Sequence, residues 1–80
     1  MESTMINLSK ATVQDLQSFA GVLAKYTVDL DLKSGRYTVD ARSIMGILAL
    51  NLREPIEFII NSDDSAVVNA VLADVKTWIA

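Results

Sequence analysis

The stretch Ala41-Arg42-Ser43-Ile44-Met45-Gly46-Ile47-Leu48-Ala49-Leu50 decides how the middle of this chain folds. A run so short and so apolar suits a buried strand or a helix, but a leading serine that can cap and scant β-branching favour the helix. The reading is a short helix opened by Ser43 and apolar on more than one side. One side packs on a core, and the rest must meet another element or stand as a surface patch.

Upstream of this helix, Thr27 to Lys33 alternates, with Val28, Leu30 and Leu32 on one face and Asp29, Asp31 and Lys33 on the other. Ser34-Gly35 is read as a two-residue hairpin turn. That turn pairs Leu32 with Tyr37 and Leu30 with Val39 on a buried face, and sets Asp29 opposite Asp40 on a solvated one. Further upstream, Thr12-Val13-Gln14-Asp15 reads as a capping box variant. It opens a helix whose stripe is Val13, Leu16, Phe19, Ala20, Leu23 and Ala24, ending near Tyr26. Ile6 and Leu8, alternating with Asn7 and Ser9, predict a short first strand.

Downstream, Asn51 can terminate the central helix, and Pro55 can begin a strand that needs no donor at its first residue. Ile56, Phe58 and Ile60 form its buried face, with Ile59 on the outer side. Ser62-Asp63-Asp64 caps a last helix with the stripe Val68, Val71, Leu72, Val75, Trp78 and Ile79. The order is β-α-β-β-α-β-α. It calls for an α+β fold, a single antiparallel sheet with helices covering one face.

The totals bound the chemistry. Eighty residues, 51% of them apolar, suit one domain with one core over 1–80. The chain has no cysteine and no histidine, so disulfides, thiolate or imidazole metal ligation and His- or Cys-based catalysis are excluded. No cofactor or metal site is expected. The net charge is −3, and Lys10, Lys25, Lys33, Arg36, Arg42, Arg53 and Lys76 are scattered, so a nucleic-acid partner is not expected. Met1-Glu2-Ser3-Thr4 does not look like a signal peptide, and no apolar run reaches membrane-spanning length. A cytoplasmic protein with no membrane partner is the expectation.

Arg42-Ser43-Ile44-Met45-Gly46-Ile47-Leu48 resembles the signature around the regulatory serine of HPr, the small phosphocarrier family of the bacterial sugar phosphotransferase system. Lys25-Tyr26, the Ser34-Gly35 hairpin and the element order support the resemblance over essentially the whole chain. It implies the open-faced β-sandwich with strand order 1-4-2-3 and four strands under three helices. HPr proteins carry a phosphoryl group on a histidine within a Gly-x-His-x-Arg-Pro type motif. Counting back from Ser43 without gaps puts Thr12 at the histidine, Gln14 at the arginine and Asp15 at the proline. None matches. A phosphohistidine relay therefore has no residue to run on in this chain, and the Asp15 carboxylate repels an incoming phosphate at a helix end that would otherwise attract it.

The degenerate site Thr12, Gln14 and Asp15 is read as non-catalytic, with the cap as its task. A Thr12 ester or an Asp15 acyl phosphate is the alternative that would keep phosphocarrier activity. Ser43 matches the serine that an ATP-dependent serine kinase modifies in some HPr proteins. A phosphate there would face free amides and the positive end of the helix, with Arg42 beside it to neutralise charge. The plain alternative is that Ser43 is only a cap. Residues matching Ile44, Met45 and Leu48 dock protein partners in the family, whereas Ile47 and Leu50 are read as core. The expected function is a non-enzymatic regulatory or interaction module, with Arg42, Ile44, Met45 and Leu48 docking partners of phosphotransferase or carbon-regulation type and a phosphoserine switch at Ser43. Reuse of the fold for unrelated binding is the remaining alternative.

Overall fold

Alternation and capping produce the elements in the expected order. In the computed structural model, which describes residues 1–80, they are β1 (Glu2–Ile6), α1 (Val13–Leu23), β2 (Asp29–Ser34), β3 (Tyr37–Asp40), α2 (Ile44–Leu48), β4 (Ile56–Asn61) and α3 (Ser65–Asp74). A 3-10 turn over Lys76–Trp78 follows. The strands make one antiparallel sheet in the order β1-β4-β2-β3, as the HPr resemblance implies.

The two central strands supply the core. Ile56, Phe58 and Ile60 of β4 and Leu30 and Leu32 of β2 are fully buried against Leu16, Phe19, Ala20 and Leu23 of α1, Ile47 of α2, and Val68 and Val71 of α3. Phe19 meets Phe58 edge to face with ring centroids 6.1 Å apart, a favoured aromatic arrangement. Each fully buried Val, Leu, Ile or Phe contributes about 1.5–3 kcal/mol by burial against about 1 kcal/mol for a typical cap, so the apolar alternation decides which sheet face the helices cover. The other face, carrying Ser3, Met5, Asp29, Asp31, Lys33, Thr38, Glu57 and Ile59, has no helix over it. No helix is long and apolar enough to cross a membrane.

The hairpin register departs from the sequence reading. The loop is Gly35-Arg36, with Ser34 opposite Tyr37, Leu32 opposite Val39 and Asp31, not Asp29, opposite Asp40. Gly35 has φ 59° and no other residue has a positive φ, so the first loop position falls to the residue that adopts it without strain. Shifting the turn by one residue moves the pairing by two. The faces therefore keep their parity, although Tyr37 at the strand tip is 69% exposed rather than buried.

Three element boundaries also move. α1 stops at Leu23 because Ala24 N–H donates to the Gly21 carbonyl and Tyr26 N–H to that of Leu23, bonds of three-residue span that wind the helix down. Val13 and Ala24, expected on its buried stripe, face solvent. β1 begins earlier than its apolar alternation suggests, since main-chain pairing to Phe58, Ile59 and Ile60 extends it through Glu2, Ser3 and Thr4. Leu8 lies past its end yet is buried. Beyond α3, Asn7 N–H donates to the Trp78 carbonyl and Ala80 N–H to that of Met5, so Ile79 joins the β1 edge instead of continuing a helical stripe.

Candidate functional site

At the start of α1, Thr12 Oγ1 accepts from Asp15 N–H at 3.1 Å, and the Asp15 carboxylate accepts from Thr12 N–H at 2.9 Å. The capping box is complete. It satisfies two helix-end donors from within and places a carboxylate where an anion would otherwise sit. Before it, the Asn7 side-chain oxygen accepts from Ser9 N–H at 2.9 Å and from the Ser9 hydroxyl at 2.6 Å, closing the loop on itself. Gln14 is exposed. The carboxylate nearest the Thr12 hydroxyl is bonded to an amide, so no base is poised to activate that hydroxyl.

Ser43 caps α2. Its hydroxyl accepts from Gly46 N–H at 3.2 Å and its own N–H donates to the Asp40 carbonyl at 3.0 Å. Arg42, expected beside it as a docking and phosphate-neutralising group, turns inward. Its Nε donates to Asp40 Oδ1 at 3.0 Å and Nη2 to Asp40 Oδ2 at 3.3 Å, while Nη1 donates to the Tyr26 carbonyl at 2.8 Å. The side chain is 21% exposed. The fork matches the carboxylate, and the pairing holds the Asp40 carboxyl below its ordinary range and raises the Arg42 guanidinium further.

α2 itself has five residues, too few to hold together without tertiary contacts. Ile47 and Leu50 anchor it in the core. On its other side Met45 is 80% exposed and Leu48 48% exposed, with Ile44 half-buried between patch and core. Gly46 explains the close approach to β3, because a Cβ there would lie 2.9 Å from Val39 Cβ. The structure thus brings Ile44, Met45 and Leu48 to one surface and turns Arg42 back onto Asp40 and the Tyr26 carbonyl. No three acidic side chains gather into a possible metal cluster.

A further cluster, absent from the sequence reading, joins the ends of α1 and α3. Tyr26 Oη donates to Asp74 Oδ2 at 2.5 Å, and Lys25 Nζ lies 3.1 Å from the same oxygen and 5.3 Å from the centroid of the Tyr26 ring. Burial, then the Asp74 bond, pushes the Tyr26 phenol up to about 12, and the Tyr26 bond followed by Lys25 lowers the Asp74 carboxyl. Nothing local signals this contact, since Tyr26 and Asp74 lie 48 residues apart. The Asp40 to Arg42 pair did have a local signal, an acid two residues before a base across the end of a strand.

No family model and no curated protein sequence matches the chain. The architecture is nevertheless that of the HPr fold, four antiparallel strands under three helices. Among solved structures the chain is similar to the crystal structure of HPr-C-His from Thermoanaerobacter tengcongensis, with TM-score 0.75 and 18% identity over 96% of this chain and 93% of that one. Identity at that level establishes the fold alone.

Proposed function

We propose that this chain is a non-catalytic, non-enzymatic HPr-like module that works by protein recognition through α2. The observation carrying this reading is the contrast between the two helix ends. The start of α1 is closed by its own carboxylate, whereas α2 leaves Met45 and Leu48 standing in solvent beside half-buried Ile44. An exposed methionine flanked by aliphatic side chains, on a backbone anchored from below, is an adaptable docking surface. The fold favours partners of phosphotransferase or carbon-regulation type. Met45→Asp should abolish binding to such a partner while leaving the chain folded; a variant that binds as well as the parent would remove α2 from the interface.

Phosphorylation of Ser43 by a serine kinase belongs to the same reading. The hydroxyl already faces the Gly46 amide, so an added phosphate would strengthen the interaction with the helix end rather than melt it. With Arg42 committed to Asp40, that stabilisation rests on the amides. Incubation with ATP and an HPr serine kinase, followed by peptide mapping, should place the phosphate on Ser43 alone. Modification elsewhere, or none, would leave Ser43 as a cap only.

A further inference from the structure

From the chain of contacts between the ends of α1, β3 and α3, we infer that Arg42 and Tyr26 are positioning residues that latch the start of α2 to the end of α3. The links are continuous. Asp74 at the end of α3 binds the Tyr26 hydroxyl and Lys25, and the Tyr26 carbonyl receives Arg42 Nη1. Arg42 then grips both oxygens of Asp40, its own N–H also donates to Asp40 Oδ1 at 2.8 Å, and the Asp40 carbonyl receives the N–H of the α2 cap, Ser43.

Three features make this a latch and not a set of separate surface pairs. The Arg42 bond to the Tyr26 carbonyl is partly buried, so solvent competes with it less than with the Asp40 fork, whose carboxylate is 51% exposed. The fork reaches a carboxylate and a carbonyl together, a geometry that a lysine cannot reproduce. The element so held is a five-residue helix whose remaining anchors are Ile47, Leu50, the half-buried Ile44 and the close approach of Gly46 to Val39. Loosening the link at α3 therefore lowers the free energy of local opening at α2, although Tyr26 makes no hydrogen bond to that helix. The inference rests on the proposed docking role of α2 for its functional meaning, but the latch is a property of the unbound chain.

Site-resolved amide hydrogen exchange on the free protein tests it. The reporters are Ile47 N–H, bonded to the Ser43 carbonyl, and Leu50 N–H, bonded to the Ile47 carbonyl, compared with β4 amides. Arg42→Gln should speed exchange at Ile47 and Leu50 about tenfold beyond any change in β4, and Tyr26→Phe about fivefold. Arg42→Lys should behave like Arg42→Gln, since charge without the fork does not close the latch. If Tyr26→Phe leaves α2 exchange at the parent rate, or accelerates it only as much as β4, the latch is refuted. The Tyr26 variant keeps the ring and the core, so this arm survives even if Arg42→Gln does not fold. Because no partner is present, failure here is separate from failure of the docking reading.

Discussion

Adding one methyl group at Gly46 and one at Gly21 asks the same chemistry of two helices and should give opposite signs. Replacing glycine by alanine inside a helix ordinarily gains about 0.5–1 kcal/mol. At Gly21 nothing lies within 4 Å of the added carbon, so the gain is realised in full. At Gly46 the added carbon would lie 2.9 Å from Val39 Cβ and 3.4 Å from both Val39 Cγ1 and Ser43 Oγ. Val39 Cβ is fixed to the β3 backbone and cannot swing aside, so α2 must move away from the sheet, an overpacking that costs about 1–3 kcal/mol. The net expectation is about 1 kcal/mol lost for Gly46→Ala and about 0.5–1 kcal/mol gained for Gly21→Ala. Each kcal/mol moves the melting temperature of a domain this size by about 4–8 °C. Urea denaturation followed by far-ultraviolet circular dichroism, checked by calorimetry, measures both. Equal stabilisation by the two substitutions would refute the packing of α2 on β3, and with it the fixed presentation of Met45 and Leu48.

Other expectations follow from the same contacts. Thr12→Ala removes the reciprocal cap of α1 and should cost about 1 kcal/mol in urea denaturation; no loss would mean that the capping box contributes nothing. Met45→Asp should leave stability within about 0.5 kcal/mol of the parent because the side chain is in solvent, whereas Ile47→Ala should cost about 2–5 kcal/mol, so equal melting temperatures would contradict the assigned faces of α2. The Tyr26 phenol titrates higher folded than unfolded, so its contribution is full below its ordinary value of 10.0 and disappears as pH rises through about 12. Asp74 works in the opposite sense: its folded value is lowered, so its contribution is present above 3.8 and is lost as pH falls further. The stability difference between the parent and Tyr26→Phe should therefore be flat across neutral pH and shrink at both extremes. A difference that stays constant above pH 10.0 would exclude both the burial and the Asp74 bond that raise the phenol.

The elements legible in the sequence are those whose deciding forces are local. The helix at Ser43, the capping box at Thr12 and the alternation of Ile56, Phe58 and Ile60 rest on residues within a turn or two of each other, and the structure reproduces them. The hairpin register turns on an equally local choice. Ser34-Gly35 and Gly35-Arg36 both look like turns, and only the demand for positive φ at the first loop position separates them. Tyr37 and Val13 lie on the apolar side of their patterns yet beyond the cover of any facing element, which periodicity does not report. Arg42 shows the limit most clearly. Its place beside Ser43 suggested an outward role, but its partners are the Asp40 carboxylate and a carbonyl 16 residues away, a tertiary contact that overrode the apparent motif. The strand order came with the HPr resemblance and not from patterning, because alternation fixes faces but not neighbours.

The central claim, that recognition has replaced phosphoryl transfer in this chain, is tested most directly by incubating it with phosphoenolpyruvate and enzyme I and recording its intact mass at neutral pH, before any acyl phosphate can hydrolyse. The expected result is an unchanged mass, since Thr12 lacks a base and the Asp15 carboxylate is bonded into its own helix cap. A gain of one phosphoryl group mapping to Thr12 or Asp15 would contradict it and make the chain a carrier with an unconventional acceptor.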